Sequence, residues 1–315
     1  MSTPPNPVPQ TPLHTQPAAS VLAIEPRPFY WSVRREIWEN RSIYIAPLAA
    51  AVVYLLGFSI STIWLPGSIH GLPALDPMQQ LVTLAMPYAH AGMLVAATAF
   101  VVGVFYCLEA LHGERRDRSI LFWKSLPVSD LTTVLSKFAI PFLVLPLFVF
   151  VITLALEFLM LLISIIVLSL SGTGAATLLS RLPIFQMEAA LLYSLVVIAL
   201  WQAPVYAWLL LISAWARRAT FLWAALPLAG IMAFETVAFR TTHFASLLGQ
   251  RLFGFAPAAF NFKLPDGTTL DAHFIPLSQF TPGRFLASPG LWLGLLFAAA
   301  FLAGAVRLRR NREPV

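Results

Sequence analysis

The chain has 315 residues, of which 58% are hydrophobic and 11% charged, with a mean hydropathy of +0.78. A soluble globular domain carries about 25% charged residues, so the composition excludes that class and indicates an integral membrane protein. The single cysteine, Cys107, excludes an internal disulfide and a paired-cysteine zinc site. The net charge is +6, and the basic residues lie beside apolar segments, so they are better explained by orientation in a membrane than by a nucleic-acid partner.

The N-terminal part of the chain divides into a proline-rich arm and an aromatic, basic segment. Residues 1–28 hold eight prolines, which predicts a disordered arm. Residues 29–41 combine charge with apolar residues near one helical face, namely Tyr30, Val33, Ile37 and Trp38. We expect an amphipathic elbow helix on the cytoplasmic membrane surface. The alternative is an ordinary juxtamembrane segment.

Six apolar segments reach the length of about 20 residues that a spanning helix needs. The third is too long for one perpendicular crossing. Our preferred interpretation is one tilted helix with a bend near Pro141 or Pro146, and the alternative adds a re-entrant piece after Glu157. The fold class predicted is therefore an all-α polytopic membrane protein with six transmembrane helices. The segments are approximately 44–65, 81–108, 138–171, 187–215, 221–239 and 289–306.

The distribution of lysine and arginine predicts the orientation of these spans. With the N-terminus inside, fifteen of the 20 basic residues fall on the cytoplasmic side. This bias predicts that both termini, the loop 109–130 and the tail 311–315 are cytoplasmic. The long loop 240–287 is then external.

Small residues recur along two of the spans at helical spacing. One group is Gly92, Ala96 and Gly103, and the other is Gly290 and Gly294. Such residues let helices approach closely. We favour packing within one chain over a seam between two copies.

Three polar residues lie in apolar sequence and are candidate intramembrane sites. Glu157 and Glu235 are the acids deepest in apolar segments, and a carboxyl there suggests a proton or substrate role. Both lie near the outer ends of their predicted spans, where a structural role is the simpler interpretation. His90 is expected to make a hydrogen bond between helices.

The loop 109–130 is the densest cluster of charge in the chain, and we expect it to face water. Glu114 and Arg118 are four residues apart and can pair on a short helix that Pro127 ends. Apolar side chains of that helix would then be available to a protein partner. The residues of this segment that are candidates for contact with such a partner are Glu114, Arg115, Arg118, Ser119, Ile120, Trp123, Leu126 and Pro127.

The order Glu114-Arg115, Ser119-Ile120, Leu126-Pro127-Val128-Ser129 and Lys137 resembles the cytoplasmic loop of ABC-2 type transporter permeases. The family's glycine before the serine is replaced here by Asp117-Arg118. The resemblance spans residues 29–310, although its diagnostic part is confined to the loop. It implies a coupling helix that docks on a separate ATPase subunit, and a second permease that is either another copy or a sister chain. It also implies a bacterial inner-membrane exporter whose ATP and magnesium are bound by the partner ATPase.

The sequence contains no recognised catalytic motif. It lacks a P-loop, an H-E-x-x-H zinc motif and a G-x-S-x-G nucleophile elbow. We therefore expect a transport subunit that is not itself an enzyme and binds no cofactor. The alternative is a non-transporter membrane protein, such as an intramembrane enzyme or a sensor or anchor subunit, with an ordinary basic loop.

Overall fold

The computed structural model describes residues 28–71, 76–117, 128–172, 176, 178, 180, 182–261 and 279–311. These residues are almost entirely helical, and an isolated bridge pairs Phe260 with Phe280. The predicted disordered arm, apart from Pro28, and the tail beyond Asn311 lie outside the described residues. The helices are α1 (Pro28–Glu39), α2 (Ser42–Ser61), α3 (Leu65–Gly71), α4 (Pro77–Ala110), α5 (His112–Arg116), α6 (Asp130–Ala139), α7 (Leu145–Leu170), α8 (Ile184–Trp215), α9 (Thr220–Phe239), α10 (His243–Phe253), α11 (Phe255–Ala259), α12 (Pro282–Leu286) and α13 (Pro289–Asn311).

Six helical stretches are long and apolar enough to cross a membrane, which confirms the predicted number of spans. Each overlaps one predicted segment, and several extend further at their ends because polar residues continue the helix beyond the apolar run. The six stretches are Ser42–Ile69, Gln79–Arg116, Asp130–Leu170, Ile184–Trp215, Thr220–Phe239 and Pro289–Asn311.

The third span is one continuous helical stretch of 41 residues from Asp130 to Leu170. A π-helical turn at Ile140–Val144 joins α6 to α7 and contains Pro141, whose missing N–H removes one helical hydrogen bond. At 1.5 Å per residue the stretch is about 60 Å long, roughly twice the hydrocarbon core of a bilayer. The single-helix interpretation is confirmed, and the re-entrant alternative is wrong.

Helix α8 forms the centre of the bundle. In an apolar 18-residue segment of α8, 67% of the residues are buried, whereas 6% are buried in the corresponding segment of α9. It packs against α13, α4 and α7, whereas α9 contacts mainly α8 and α10. The buried core therefore lies between α8 and its neighbours, and α9 is a peripheral helix with most of its apolar surface exposed.

The small residues of the spans pack within this chain. A Cβ atom built on Gly92 would lie 3.3 Å from Thr153 Cγ2, and one on Gly103 would lie 3.2 Å from Leu145 Cδ1. Ala96 packs against the main core, and Gly290 approaches the ring of Trp201. These contacts support the preferred interpretation of packing inside one chain.

Helices α10 to α12 cover the bundle at the end remote from the chain termini. Trp201 Nε1 and Gln202 Nε2 of α8 donate to the carbonyls of Gln250 and Leu252, at 3.3 and 2.8 Å. The Arg251 guanidinium lies 4.7 Å from the centroid of the Trp201 ring, so close to α13 that a Cβ atom on Gly294 would overlap with it. Burial lowers the pKa of Arg251 to about 10. These contacts fix α10 onto the ends of α8 and α13.

Candidate functional site: a buried ion network

The opposite end of the molecule, where the described termini lie, contains a buried network of charged side chains, which we call the ion network. It consists of Arg35 and Glu36 of α1, Glu114 of α5, Asp130 and Lys137 of α6, and Arg309 of α13. Tyr106 of α4 completes it through a hydrogen bond. Five helices from both the N-terminal and the C-terminal parts of the chain therefore meet through charged or polar side chains.

Lys137 and Glu36 form the centre of the ion network. Lys137 Nζ donates to Glu36 Oε1 at 2.8 Å and forms an ion pair with Glu114 Oε1 at 3.1 Å. Arg35 Nη2 donates to Glu36 Oε1, and the Tyr106 hydroxyl donates to Glu36 Oε2, each at 2.8 Å. Glu36 is 1% exposed and Lys137 is 3% exposed. Both charges are thus removed from water and matched by opposite charges.

Arg309 extends the network to the C-terminal helix. Its Nη2 atom donates to Glu114 Oε2 at 3.1 Å, and its Nη1 atom lies 3.5 Å from Asp130 Oδ1. Arg309 is 4% exposed and Glu114 is 9% exposed. Glu114 consequently bridges Lys137 and Arg309, which joins α5, α6 and α13.

The ion network contains three acids and three bases, so their formal charges balance. Burying an unpaired charge costs several kcal/mol, whereas a compensated and hydrogen-bonded set can be accommodated. Burial by itself raises the pKa of Glu36, but the positive charges of Lys137 and Arg35 and their hydrogen bonds outweigh it and lower the pKa below its ordinary value. The Glu36 carboxylate is therefore held in its ionised form.

Arg115 anchors α5 by a different set of contacts. Its Nη2 atom donates to the carbonyls of Ser213, at 3.1 Å, and Ala216, at the C-terminal end of α8. Ser213 Oγ accepts hydrogen bonds from the backbone N–H groups of Leu111 and His112 at 3.0 and 2.9 Å. A cation at the C-terminal carbonyls also interacts favourably with the helix dipole. Helix α5 is thus attached directly to the central helix.

The two ends of the loop that connects α4 to the third span are consequently both attached to the bundle. On one side, α5 is held by Glu114 and Arg115. On the other side, Ser129 caps α6 by accepting a hydrogen bond from Thr132 N at 3.1 Å, and Asp130 and Lys137 tie α6 to the ion network. Ser129 is thus the N-cap residue of α6.

The expectation that the charge cluster faces water is wrong for two of its residues. Glu114 and Arg115 are buried, whereas Arg116 and Asp117 have side chains that are 60% and 63% exposed. Glu114 has ion partners on α1, α6 and α13, and its predicted pairing with Arg118 stays a prediction. The other predicted coupling residues, Arg118, Ser119, Ile120, Trp123, Leu126 and Pro127, lie outside the described residues.

The predicted elbow segment is helical as α1, but its apolar residues do not share one environment. Val33 and Ile37 pack against the core on the same side as Glu36. Tyr30 and Trp38 are exposed, and the Arg34 guanidinium lies 5.2 Å from the ring centroids of both Trp31 and Trp38. The helix therefore has a protein-facing side containing a buried acid and an exposed side of aromatic rings around a cation.

Glu235 has a structural role at the end of α9. Its Oε1 atom accepts hydrogen bonds from Thr241 Oγ1 and His243 N at 2.8 and 2.7 Å, and its Oε2 atom accepts one from Phe244 N at 2.8 Å. The carboxylate thereby satisfies backbone donors at the start of α10. This arrangement accounts for an acid at the edge of an apolar helix.

Glu157 and His90 lie away from the ion network. Glu157 is buried on α7 within hydrogen-bonding reach of the Glu188 carboxyl on α8. His90 is half-buried on α4, and its predicted hydrogen bond between helices stays a prediction. Among the described residues, no group of three His, Cys, Asp or Glu side chains could hold a metal ion.

Sequence reasoning did not single out Glu36, Tyr106, Glu188 or Arg309. A signal existed for Glu36, because it lies three residues after Val33 and next to Ile37, on the apolar side of an amphipathic helix. Lys137 carried the same kind of signal as an isolated cation near the start of a long apolar run. Arg309 had none, because it is one of several arginines near the C-terminus.

Comparisons with known proteins identify no relative of this chain. No family model, no curated protein and no solved structure matches it. The assignment of function therefore depends on the residues and contacts described above.

Proposed function

We propose that this chain is the membrane-spanning subunit of an ATP-binding cassette exporter, coupled to a separate ATPase through the loop 109–130. In this proposal the ion network end faces the cytoplasm, as the distribution of lysine and arginine predicts. ATP binding would bring two ATPase subunits together and displace the loop, and the spans would then shift toward an outward-facing state. A second permease, either another copy or a sister chain, would complete the translocation path.

The attachment of both ends of the loop to the bundle supports this proposal most strongly. Converting a two-state equilibrium from 1:99 to 99:1 requires about 5.5 kcal/mol of differential binding free energy. A force on residues 118–127 can deliver that free energy only if the flanking helices do not yield. Helix α5 is held to α8 and α13 through Arg115 and Glu114, and α6 is held to α1 and α13 through Lys137 and Asp130.

The exposed side of α1 supports the cytoplasmic-surface placement of the elbow helix. Aromatic and basic side chains together suit the interface between lipid headgroups and hydrocarbon. Tyr30, Trp31 and Trp38 are exposed around Arg34, and Glu36 fixes the other side of the helix to the ion network. In the proposed exporter α1 would follow movements of the spans because it is tied to α6.

Purification of the tagged chain from membranes of its native host tests the proposal. The expected result is an ATPase subunit that co-purifies and hydrolyses ATP faster in the complex than alone. Replacing Ile120, Trp123 and Leu126 together by aspartate should remove that acceleration while the chain still inserts. The matched control replaces two exposed leucines at the opposite end, Leu247 and Leu286, by aspartate and should leave it unchanged.

Two outcomes would contradict the proposal. If no ATPase accompanies the chain in mild detergent or after cross-linking in the membrane, the chain is better explained as an intramembrane enzyme or a sensor subunit. If the triple aspartate variant stimulates its ATPase like the unmodified chain, the loop does not couple the two subunits.

A further inference from the structure

A cavity of about 250 Å³ lies between α4, α7 and α8, away from the ion network. Its lining is mainly apolar and includes Ala85, Gly92 and Ala96 of α4 together with Leu191 and Ile198 of α8. Gly92 also lets α4 approach α7 closely, since a Cβ atom on Gly92 would lie 3.3 Å from Thr153 Cγ2. The volume approaches the lower end of typical small-molecule sites, about 300 Å³.

One carboxyl group lines this cavity, and a second lies next to the first. Glu157, which is 7% exposed, lines it from α7, and its carboxyl is within hydrogen-bonding reach of Glu188 on α8. Glu188 Oε2 is buried and forms no hydrogen bond with any other described residue. Two ionised carboxyls this close together would repel each other, and a cation bound beside them would relieve that repulsion. Among the described residues, neither carboxyl forms a salt bridge with a lysine or arginine.

The cavity has its charge at one end. Glu188 is one turn from the start of α8 at Ile184, on the side opposite the ion network. The lining then continues along α8 from Met187 to Ile198, eleven residues further along the chain. At 1.5 Å per residue this distance is about 16 Å. Beyond the carboxyl pair this wall is mostly apolar, with Ser194 as its polar exception.

We propose that this cavity binds an amphipathic organic cation, such as an alkylammonium compound. The cationic head would lie at Glu157 and Glu188 and supply the basic partner that the carboxyls lack among the described residues. The alkyl part would extend along α4 and α8 toward Ala96 and Ile198. A small inorganic cation would use only the carboxyls and leave the apolar part empty, and a neutral lipid would leave the carboxyls without a cationic partner. Binding does not require an ATPase, so it is independent of the proposed exporter function. If that function holds, the ligand is a candidate cargo.

Equilibrium dialysis of the purified full-length chain against labelled hexyltrimethylammonium tests the site. A quaternary ammonium ion cannot exchange a proton, so its binding reports recognition of charge and not proton transfer. We expect saturable binding that weakens at least tenfold when Glu157 and Glu188 are both replaced by glutamine. The matched control is Glu109→Gln, an exposed acid on α4, which should bind like the unmodified chain. Competition by the uncharged analogue, in which carbon replaces nitrogen, should be absent.

A second variant keeps the test decisive if the double glutamine variant fails to fold. Ala96→Leu leaves both carboxyls in place and fills the apolar part of the cavity. It should weaken binding of hexyltrimethylammonium at least fivefold and affect tetramethylammonium much less. Equal binding by the unmodified chain and the folded double variant would overturn the proposal. Full competition by the uncharged analogue would also overturn the proposal, because contact with the apolar wall alone would then explain the binding of hexyltrimethylammonium.

Discussion

Both ends of the molecule bury acids, but their surroundings differ. In the ion network, Glu36 and Glu114 are matched by Lys137, Arg35 and Arg309. At the cavity, Glu157 faces another acid, Glu188, with no ion pair among the described residues. In the first arrangement the acids have their basic partners within the chain, and the ion pairs join helices. The second places two acids beside an open volume, without a basic partner among the described residues. We infer that the network has a mechanical role and that the pair is suited to a ligand.

The largest expected effect is the loss of the central cation of the network. Lys137→Met leaves Glu36 and Glu114 buried with fewer compensating charges, and breaking a buried pair in this way costs about 3–5 kcal/mol. The free energy of unfolding in detergent micelles, from denaturant titration, measures this loss. The control Arg310→Met changes an exposed arginine and should stay within about 0.5 kcal/mol. Equal effects of the two variants would show that the network does not stabilise the fold.

The second prediction concerns the acid sensitivity of the network. Because the pKa of Glu36 is lowered in the folded chain, its contribution to stability is present above the ordinary carboxyl pKa and is lost as pH falls through the lowered value. Glu36→Gln should therefore be less stable than the unmodified chain at pH 7 and lose less stability on acidification. Melting temperatures between pH 7 and pH 3 test this.

The matched control for this pH series is Glu39→Gln on the same helix. Burial raises the pKa of Glu39, which is the opposite direction. This variant should consequently lose as much stability on acidification as the unmodified chain. If both variants showed the same pH profile, Glu36 would not be the group responsible for it.

A smaller effect is expected where Arg115 joins α5 to α8. Arg115→Met leaves the carbonyls of Ser213 and Ala216 without this donor, and hydrogen bonds to charged groups contribute about 1.5–3 kcal/mol. Among the described residues, Arg116→Met removes exposed ion pairs with Glu109 and Asp117, which water screens, so its cost should be smaller. Denaturant titration of the two variants measures the difference. A larger loss for Arg116→Met would contradict the anchoring role of Arg115.

The smallest effect is expected at the carboxyl pair. Glu157→Gln replaces a carboxyl that has no described basic partner by an amide of similar shape, so it leaves no buried cation uncompensated and should reduce the free energy of unfolding least. In the network, Glu114→Gln makes the equivalent chemical change and should be clearly destabilising, because Lys137 and Arg309 then lose a compensating charge. Measuring the two variants side by side tests the contrast directly. A large loss for Glu157→Gln would mean that the pair is structural.

The number and approximate limits of the spans could be predicted from the sequence, because a bilayer-spanning helix imposes a length and an apolar composition on consecutive residues. The third span illustrates this, since its long apolar run is one helical stretch with a π turn at Pro141. The helix before the first span could likewise be predicted from its periodicity. These are local properties of the chain.

The candidate sites could be predicted only in part, because they depend on contacts between residues far apart in sequence. Glu36 and Lys137 are separated by 101 residues, and Glu114 and Arg309 by 195. No local spacing distinguishes Arg309 from Arg310, although one is buried and the other is exposed. The same holds for Arg115 and Arg116.

The order of residues along the chain shows which segments are apolar enough to leave water and where the charges concentrate. Which of those charges are buried, and with which partners, follows from the packing of the helices. The physical reason is that the free energy of burying apolar side chains is roughly proportional to their apolar area, so it can be summed along a segment. The energy of a charge instead depends on the position of every neighbouring charge and on its distance from water.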